Sequence, residues 1–400
     1  MNYLRLFSLA IFSSLLVGCA IQPQSRRGVH TVDWQSLTEV SPGNGNFAKG
    51  VSACFAGYQN GSLIIAGGCN FPDVPAAEGG KKIFYDDIYA AHVQNDTVQK
   101  WERIGNLPAP LAYGVSVSTP KGLVCVGGIT PDGPTTMTYR LEYNSASGNV
   151  SVHKLTPLPN TVDNMTGALV GNTLYIVGGN VDKKPSSRMF ALNLNSDTAS
   201  WHELTPVPGN PRVQPVCATI RKNGKPCLIV TGGFAGAFAN EDASLSTDAY
   251  CFEPETCSWV KIATPVGTDG KPLSLGGGVA VTLDDSLMLC MGGVNKDIFL
   301  KALQREQALK KAVAENNQKR IDELREDAKK YMKQPVDWYK FNKEVLIYSP
   351  VKDSWTSVGS FKQTARAGAA VVSMNKVVYL FFGELKPGIR TPQIWKGKVD

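Results

Sequence analysis

Toward the end of this 400-residue chain, Glu384 and Arg390 stand six residues apart across Lys386-Pro387-Gly388. A Pro-Gly turn at that spacing folds the two side chains back toward one another. A carboxylate can take and return a proton, and a guanidinium fork can hold a second carboxylate through two parallel hydrogen bonds. The pair therefore suits proton transfer on an acidic ligand. A carboxylate set beside a narrow channel loses hydration and holds its proton more tightly, which favours transfer near neutrality. The same two residues would also suit a worn surface turn, so the elements that hold them decide the matter.

Those elements repeat. Apolar strands end in a glycine pair at Gly67-Gly68, Gly127-Gly128, Gly178-Gly179, Gly232-Gly233 and Gly292-Gly293, and a sixth, Tyr379-Leu380-Phe381-Phe382-Gly383-Glu384, keeps the pattern with Glu384 in the second-glycine place. The first glycines are 60, 51, 54 and 60 residues apart, a period suited to one four-stranded propeller blade, and the last gap of 91 implies an insertion. A small-residue strand precedes each pair, such as Tyr113 to Ser118 or Val213 to Thr219, and an alternating strand follows, such as Asp87 to Val93. The fourth strand is signed by Trp101-x-x-Ile104, Val152-x-x-Leu155, Trp201-x-x-Leu204, Trp259-x-x-Ile262 and Trp355-x-x-Val358. Its sixth copy, Trp34-x-x-Leu37, lies ahead of the first glycine pair, so the two ends of the chain must meet in one blade and close the ring. Glycine pairs in phase with these tryptophans resemble the Kelch repeat. The expected fold is all-β, a six-bladed Kelch-type β-propeller over residues 31–400, with a helical insertion at about 300–340 between the fifth and sixth glycine-pair strands.

The insertion is read from Leu303, Leu309, Val313, Ile321, Leu324 and Tyr331, which are spaced for an amphipathic helix among charged side chains. It suits a lid over one mouth, an assembly surface admitting a homodimer, or a solvated decoration. On inner strands or loops near the channel, Arg212 and Gln214, in Pro211-Arg212-Val213-Gln214, and Asn295 are further candidates to touch a ligand.

The first eighteen residues, with Arg5 before an apolar run from Leu6 to Val17, read as a signal peptide. Leu16-Val17-Gly18-Cys19 resembles the bacterial lipobox, which implies acylation at Cys19, a tether over 19–30 and, with Ala20 following, the outer membrane facing the periplasm. A balance of 41 basic against 34 acidic residues is a mixed surface and argues against nucleic acid. Eight cysteines remain after Cys19 without a C-x-x-C pair, which argues against zinc; Cys251 and Cys257 could bridge a hairpin, though free buried thiols suit the apolar strands as well.

The segment Gly383-Glu384-Leu385-Lys386-Pro387-Gly388-Ile389-Arg390-Thr391 resembles the corresponding stretch of bacterial N-acetylneuraminate epimerases, as do Gly50 to Gly68, Ala112-Tyr113-Gly114-Val115-Ser116 and Gly292-Gly293-Val294-Asn295. The blade order looks cyclically permuted relative to the enteric form, and Leu111 stands where those relatives tend to carry Arg, which would alter the substrate rim. The resemblance implies an isomerase interconverting the anomers of sialic acid without metal or organic cofactor. Glu384 would be its acid or base and Arg390 its substrate-binding residue. A non-catalytic Kelch lipoprotein binding glycans or protein partners is the competing expectation. No Ser-x-Asp-x-Gly-x-x-Trp boxes of a sialidase occur, and His30, His92, His153 and His202 are too scattered for a copper oxidase.

Overall fold

A computed structural model describes residues 31–40 and 45–400; the expected signal segment, Cys19 and the expected tether lie outside the described residues. Six antiparallel sheets of four or five strands carry the described residues, with shorter ribbons beside them. Blade 1 runs Phe55–Gln59, Ser62–Ala66, Asp87–Gln94 and Glu102–Asn106, with the short Thr97–Val98 added to its third strand. Blades 2 to 5 begin with inner strands Val115–Thr119, Thr166–Val170, Val216–Lys222 and Gly278–Leu283. Blade 6 takes Ala370–Met374, Val377–Phe381 and Ile394–Val399 from the C-terminal end and its outer strand, Val32–Leu37, from the N-terminal end. That seam is in register from Val32 opposite Val399 to Leu37 opposite Ile394.

Strand composition follows from position. Second strands such as Ser62–Ala66 and Gly122–Val126 are buried at every residue because neighbouring blades cover both faces. Outer strands such as Asn149–Lys154 face solvent and stay mostly polar. Six apolar clusters fill the spaces between adjacent blades, including one between blades 6 and 1 built on Leu63, Tyr89, Tyr379 and Phe381. Each fully buried aliphatic or aromatic side chain there contributes roughly 1.5–3 kcal/mol. The outer-strand tryptophans join blades as well: Trp201, Trp259 and Trp355 donate their indole N–H to Thr156, Thr205 and Ala263 of the preceding blade's exit.

One residue ahead of each inner strand adopts a left-handed conformation, and the six link into a closed backbone belt. Ala53, Tyr113, Asn164, Gln214, Gly277 and Gly368 have φ of 58, 63, 54, 50, 74 and 59°. Each donates its N–H to the carbonyl of the preceding member at 2.7–3.0 Å, and Ala53 donates to Gly368, completing the circle. The belt rings the top of a central channel whose cavity of about 210 Å³ is walled by these residues and the inner strands.

Beyond the belt, five of the blades continue their second and third strands as short ribbons, and here the repeat corrects the register read from sequence. Wherever the pair is Gly-Gly, the two residues carry φ of 58–73° and then 80–105°; in blade 6 those values belong to Phe382 (54°) and Gly383 (100°). A Cβ at Gly67 would lie 2.3 Å from the Leu111 carbonyl, which explains glycine in that first slot. Phe382 fills it in blade 6, buried against Phe47. Glu384 thus stands one place after the glycine pair, where the other blades have Cys69, Ile129, Asn180, Phe234 and Val294.

The insertion is a helical pair, α1 (Lys296–Ala314) and α2 (Gln318–Met332), followed by a 3-10 turn at Val336–Tyr339. It crosses the belt side of the molecule. α1 packs Phe299 on Phe234 of the blade 4 ribbon at 4.9 Å, and Gln307 Nε2 donates to Asp242 at 2.6 Å. At the far end, Lys386 Nζ donates to the Gln334 carbonyl at 2.7 Å, tying the end of α2 to the blade 6 hairpin.

Candidate active site

The blade 6 ribbon, Glu384–Lys386 paired with Ile389–Arg390, sets Glu384 directly opposite Arg390 across the turn at Pro387 and Gly388. Cysteine and phenylalanine, isoleucine and proline, asparagine and proline, and phenylalanine and leucine fill the equivalent cross-strand pairs elsewhere. Among the described ribbons, blade 6 alone places opposite charges there. Glu384 also bridges Ala367, next to belt residue Gly368, so the pair sits at the rim of the channel.

Arg390 Nη1 lies 2.9 Å from Glu384 Oε1, and that oxygen accepts the Gly388 N–H at 2.8 Å. Glu384 Oε2 receives no hydrogen bond from the described residues, and the side chain is 26% exposed. In place of a lone carboxylate short of hydration, the structure shows one with a cation on one oxygen and the other oxygen open. The guanidinium is held on three sides: Nε donates to Ser52 Oγ at 3.1 Å, its face covers the Phe71 ring at 4.9 Å, and Nη1 contacts Glu384 without an aligned hydrogen bond. Its side chain is only 3% exposed, so contact with an anion would cost it little flexibility.

A polar chain runs on from Ser52 around the rim. Ser52 Oγ is 3.8 Å from Cys69 Sγ, Cys69 donates to the Tyr113 hydroxyl at 3.3 Å, and Lys82 Nζ donates to the same hydroxyl at 3.0 Å. Lys82 also lies over the Tyr113 ring at 5.0 Å. Burial first, then neighbouring Cys69 and Glu384, push the Tyr113 phenol well above its ordinary range, so it is protonated at rest. On the insertion, burial likewise raises Tyr331, which also feels the charge of Glu384.

Of the other residues singled out from sequence, the structure brings Gln214 to the channel. It is a belt member and channel wall, and its Nε2 donates to Asn164 Oδ1 at 2.6 Å. Arg212 is not at the rim. It is fully buried between blades, with Nη1 3.1 Å from Asp248 Oδ1 and Nη2 donating to the Pro208 carbonyl at 2.9 Å. Asn295 caps α1, its Oδ1 accepting the Ile298 N–H at 3.1 Å, so its carbonyl is spent on the helix. Leu111 occupies the same step of the repeat as Arg212, 2% exposed inside an inter-blade cluster, and so does not shape the substrate rim. Sequence reasoning missed Ser52, Phe71, Lys82 and the site position of Tyr113. The eight described cysteines are free, with Cys251 buried and Cys257 exposed.

The family model described as N-acetylneuraminate epimerase matches residues 20–150 and 156–400. The chain belongs to the N-acetylneuraminate epimerase family. An N-acetylneuraminate epimerase of Yersinia pestis (strain Pestoides F) is 34% identical over 260 residues, 63% of this chain and 59% of that protein. One of Haemophilus influenzae (strain PittEE) is 33% identical over 244 residues, 60% of this chain and 58% of that protein. The match thus spans a little under three fifths of the length of these curated epimerases. The solved structure of YjhT superposes with a TM-score of 0.51 at 26% identity, covering 62% of this chain and 67% of that one.

Proposed function

We propose that this protein interconverts the α and β anomers of N-acetylneuraminate through ring opening, as an isomerase. The observation that carries this reading is the cross-strand Glu384–Arg390 pair at the channel rim, a proton carrier beside an anion-binding fork. Arg390 accepts the sugar carboxylate, drawing its charge away from Glu384. Glu384 Oε2, open to the rim, takes the proton of the anomeric hydroxyl as the bond from C2 to the ring oxygen breaks and the ring oxygen, receiving the electron pair, is protonated; closure on the other face of the ketone reverses both transfers. Gln214 and Asn164 offer hydrogen bonds to the sugar from the opposite arc of the belt. A non-catalytic binding module would not require opposite charges at the one ribbon that departs from the repeat.

Glu384→Gln should slow catalysed exchange by about 100-fold or more, the usual worth of a general acid or base. The measurement is ¹H NMR of anomer exchange, started from α-anomer freshly released by a sialidase. Exchange at the wild-type rate would remove the proposal.

The protein is further proposed to be exported and held by a lipid on Cys19 at the outer membrane, facing the periplasm, a reading supported by Leu16-Val17-Gly18-Cys19 and the apolar run before it. Labelling of the expressed protein with a radioactive fatty acid should be lost in Cys19→Ala. Equal labelling of that variant and the wild type would contradict acylation at Cys19.

A further inference from the structure

Tyr113 holds its belt position at φ 63°, a left-handed conformation that is disfavoured for a residue with a side chain and that Gly277 and Gly368 meet freely. That strain aims a phenol into the channel wall, and the phenol is unusually placed. Its oxygen accepts from Lys82 Nζ at 3.0 Å and lies 3.3 Å from Cys69 Sγ, whose single S–H also faces the Ser52 carbonyl at 3.8 Å. Tyr113 is itself one of the residues that line the central cavity. Arg390 and Lys82 share the Phe71 ring, at 4.9 and 5.9 Å, so the phenol and the Glu384–Arg390 pair look onto the same rim.

Building on the function proposed above, we infer that Tyr113, backed by Lys82, is a second proton-transfer residue, supplying the ring oxygen while Glu384 serves the anomeric hydroxyl. In the opening direction Glu384 Oε2 removes the hydroxyl proton at C2 and the C2=O bond forms. The C2–ring oxygen bond breaks, its electron pair passes to the ring oxygen, and that oxygen takes the Tyr113 proton. The products are an open-chain ketone bearing a new hydroxyl, a protonated Glu384, and a phenolate facing the Lys82 ammonium. After rotation about C2–C3 the new hydroxyl attacks the other face of the ketone and returns its proton to Tyr113, while Glu384 reprotonates the anomeric oxygen. Both residues end as they began, with no oxidant or cofactor consumed.

The test is kcat and KM for anomer exchange in the full chain. Tyr113→Phe, which keeps the ring, should lower kcat by about 50-fold or more and move KM by less than about threefold. Lys82→Met, in the partly exposed loop ahead of Ile83, should lower kcat by about tenfold, and Lys82→Arg should recover most of the loss. If Tyr113→Phe does not fold, the lysine pair decides the matter, with Lys82→Met at the wild-type rate counting against the inference. Wild-type exchange with Tyr113→Phe within threefold of it overturns the role of Tyr113 and leaves Glu384 acting alone. A wild-type protein that does not accelerate exchange overturns the function itself, and this inference with it.

Discussion

Blades 4 and 6 carry an arginine at the same step of the repeat, Arg212 and Arg366, 0% and 2% exposed. Each reaches toward the residue that precedes its blade's third strand. In blade 4 that residue is Asp248, and the guanidinium is paired. In blade 6 it is Gln393, and Arg366 Nη1 has only carbonyls, those of Phe382 at 2.6 Å and Gln393 at 3.2 Å. Burial without a counter-charge pulls Arg366 down to about 10, still a cation at neutral pH. The ribbons beyond differ in the same sense. Blade 4 pairs Phe234 with Leu245, and blade 6 pairs Glu384 with Arg390. Blade 4 thus neutralises its buried charge internally and is finished as scaffold. Blade 6 leaves positive charge behind a hairpin that bears a second arginine, an excess that would favour the acidic sugar of the function proposed above.

On that contrast, breaking the pair in blade 4 has the larger effect on stability. Asp248→Ala leaves Arg212 buried with only the Pro208 carbonyl, and a charge stranded this way costs about 3 kcal/mol. Urea unfolding should show that loss, while anomer exchange by the folded fraction stays within about twofold of wild type, because neither residue reaches the rim. A variant as stable as wild type would show that Arg212 does not depend on its partner.

The ring was legible because its cues are local and periodic: a glycine pair where a Cβ would strike the Leu111 carbonyl, and an outer-strand tryptophan whose indole binds the previous blade. Glu384 and Arg390 were legible as a turn-spaced pair, although the slot assigned to Glu384 was one residue early, since Phe382 adopts a conformation that sequence alone reserves for glycine. The same cause hid the belt. Ala53, Tyr113, Asn164 and Gln214 take left-handed φ because neighbouring blades fix them there, and no residue type announces it. Arg212 was misplaced because its step of the repeat looks like a channel loop, yet Leu111 at that step is core. Asn295, by contrast, carried a readable signal, an asparagine just ahead of a helical run, which marks a cap. Lys82 and Phe71 sit in a non-periodic loop that meets the rim only through tertiary structure.

Arg366 supplies the other half of the comparison, with the smaller effect on stability. Arg366→Met keeps an apolar shaft of similar length and removes two charge-assisted hydrogen bonds, each worth about 1.5–3 kcal/mol. It also removes a buried cation whose desolvation costs several kcal/mol, so the two changes offset and unfolding should shift by no more than about 1 kcal/mol. Activity should respond differently. The Phe382 and Gln393 carbonyls flank the two roots of the hairpin that carries Glu384 and Arg390, and Arg366 is the side chain that ties both together. Loosening those roots by a few tenths of an ångström should reduce kcat for anomer exchange about tenfold, since proton transfer depends steeply on placement. Arg366→Lys should not restore it, because a single ammonium lacks the planar fork that spans two carbonyls. A loss of stability as large as that of Asp248→Ala, with unchanged kcat, would mean that both arginines serve the scaffold alone and that blade 6 is not set apart by its buried charge.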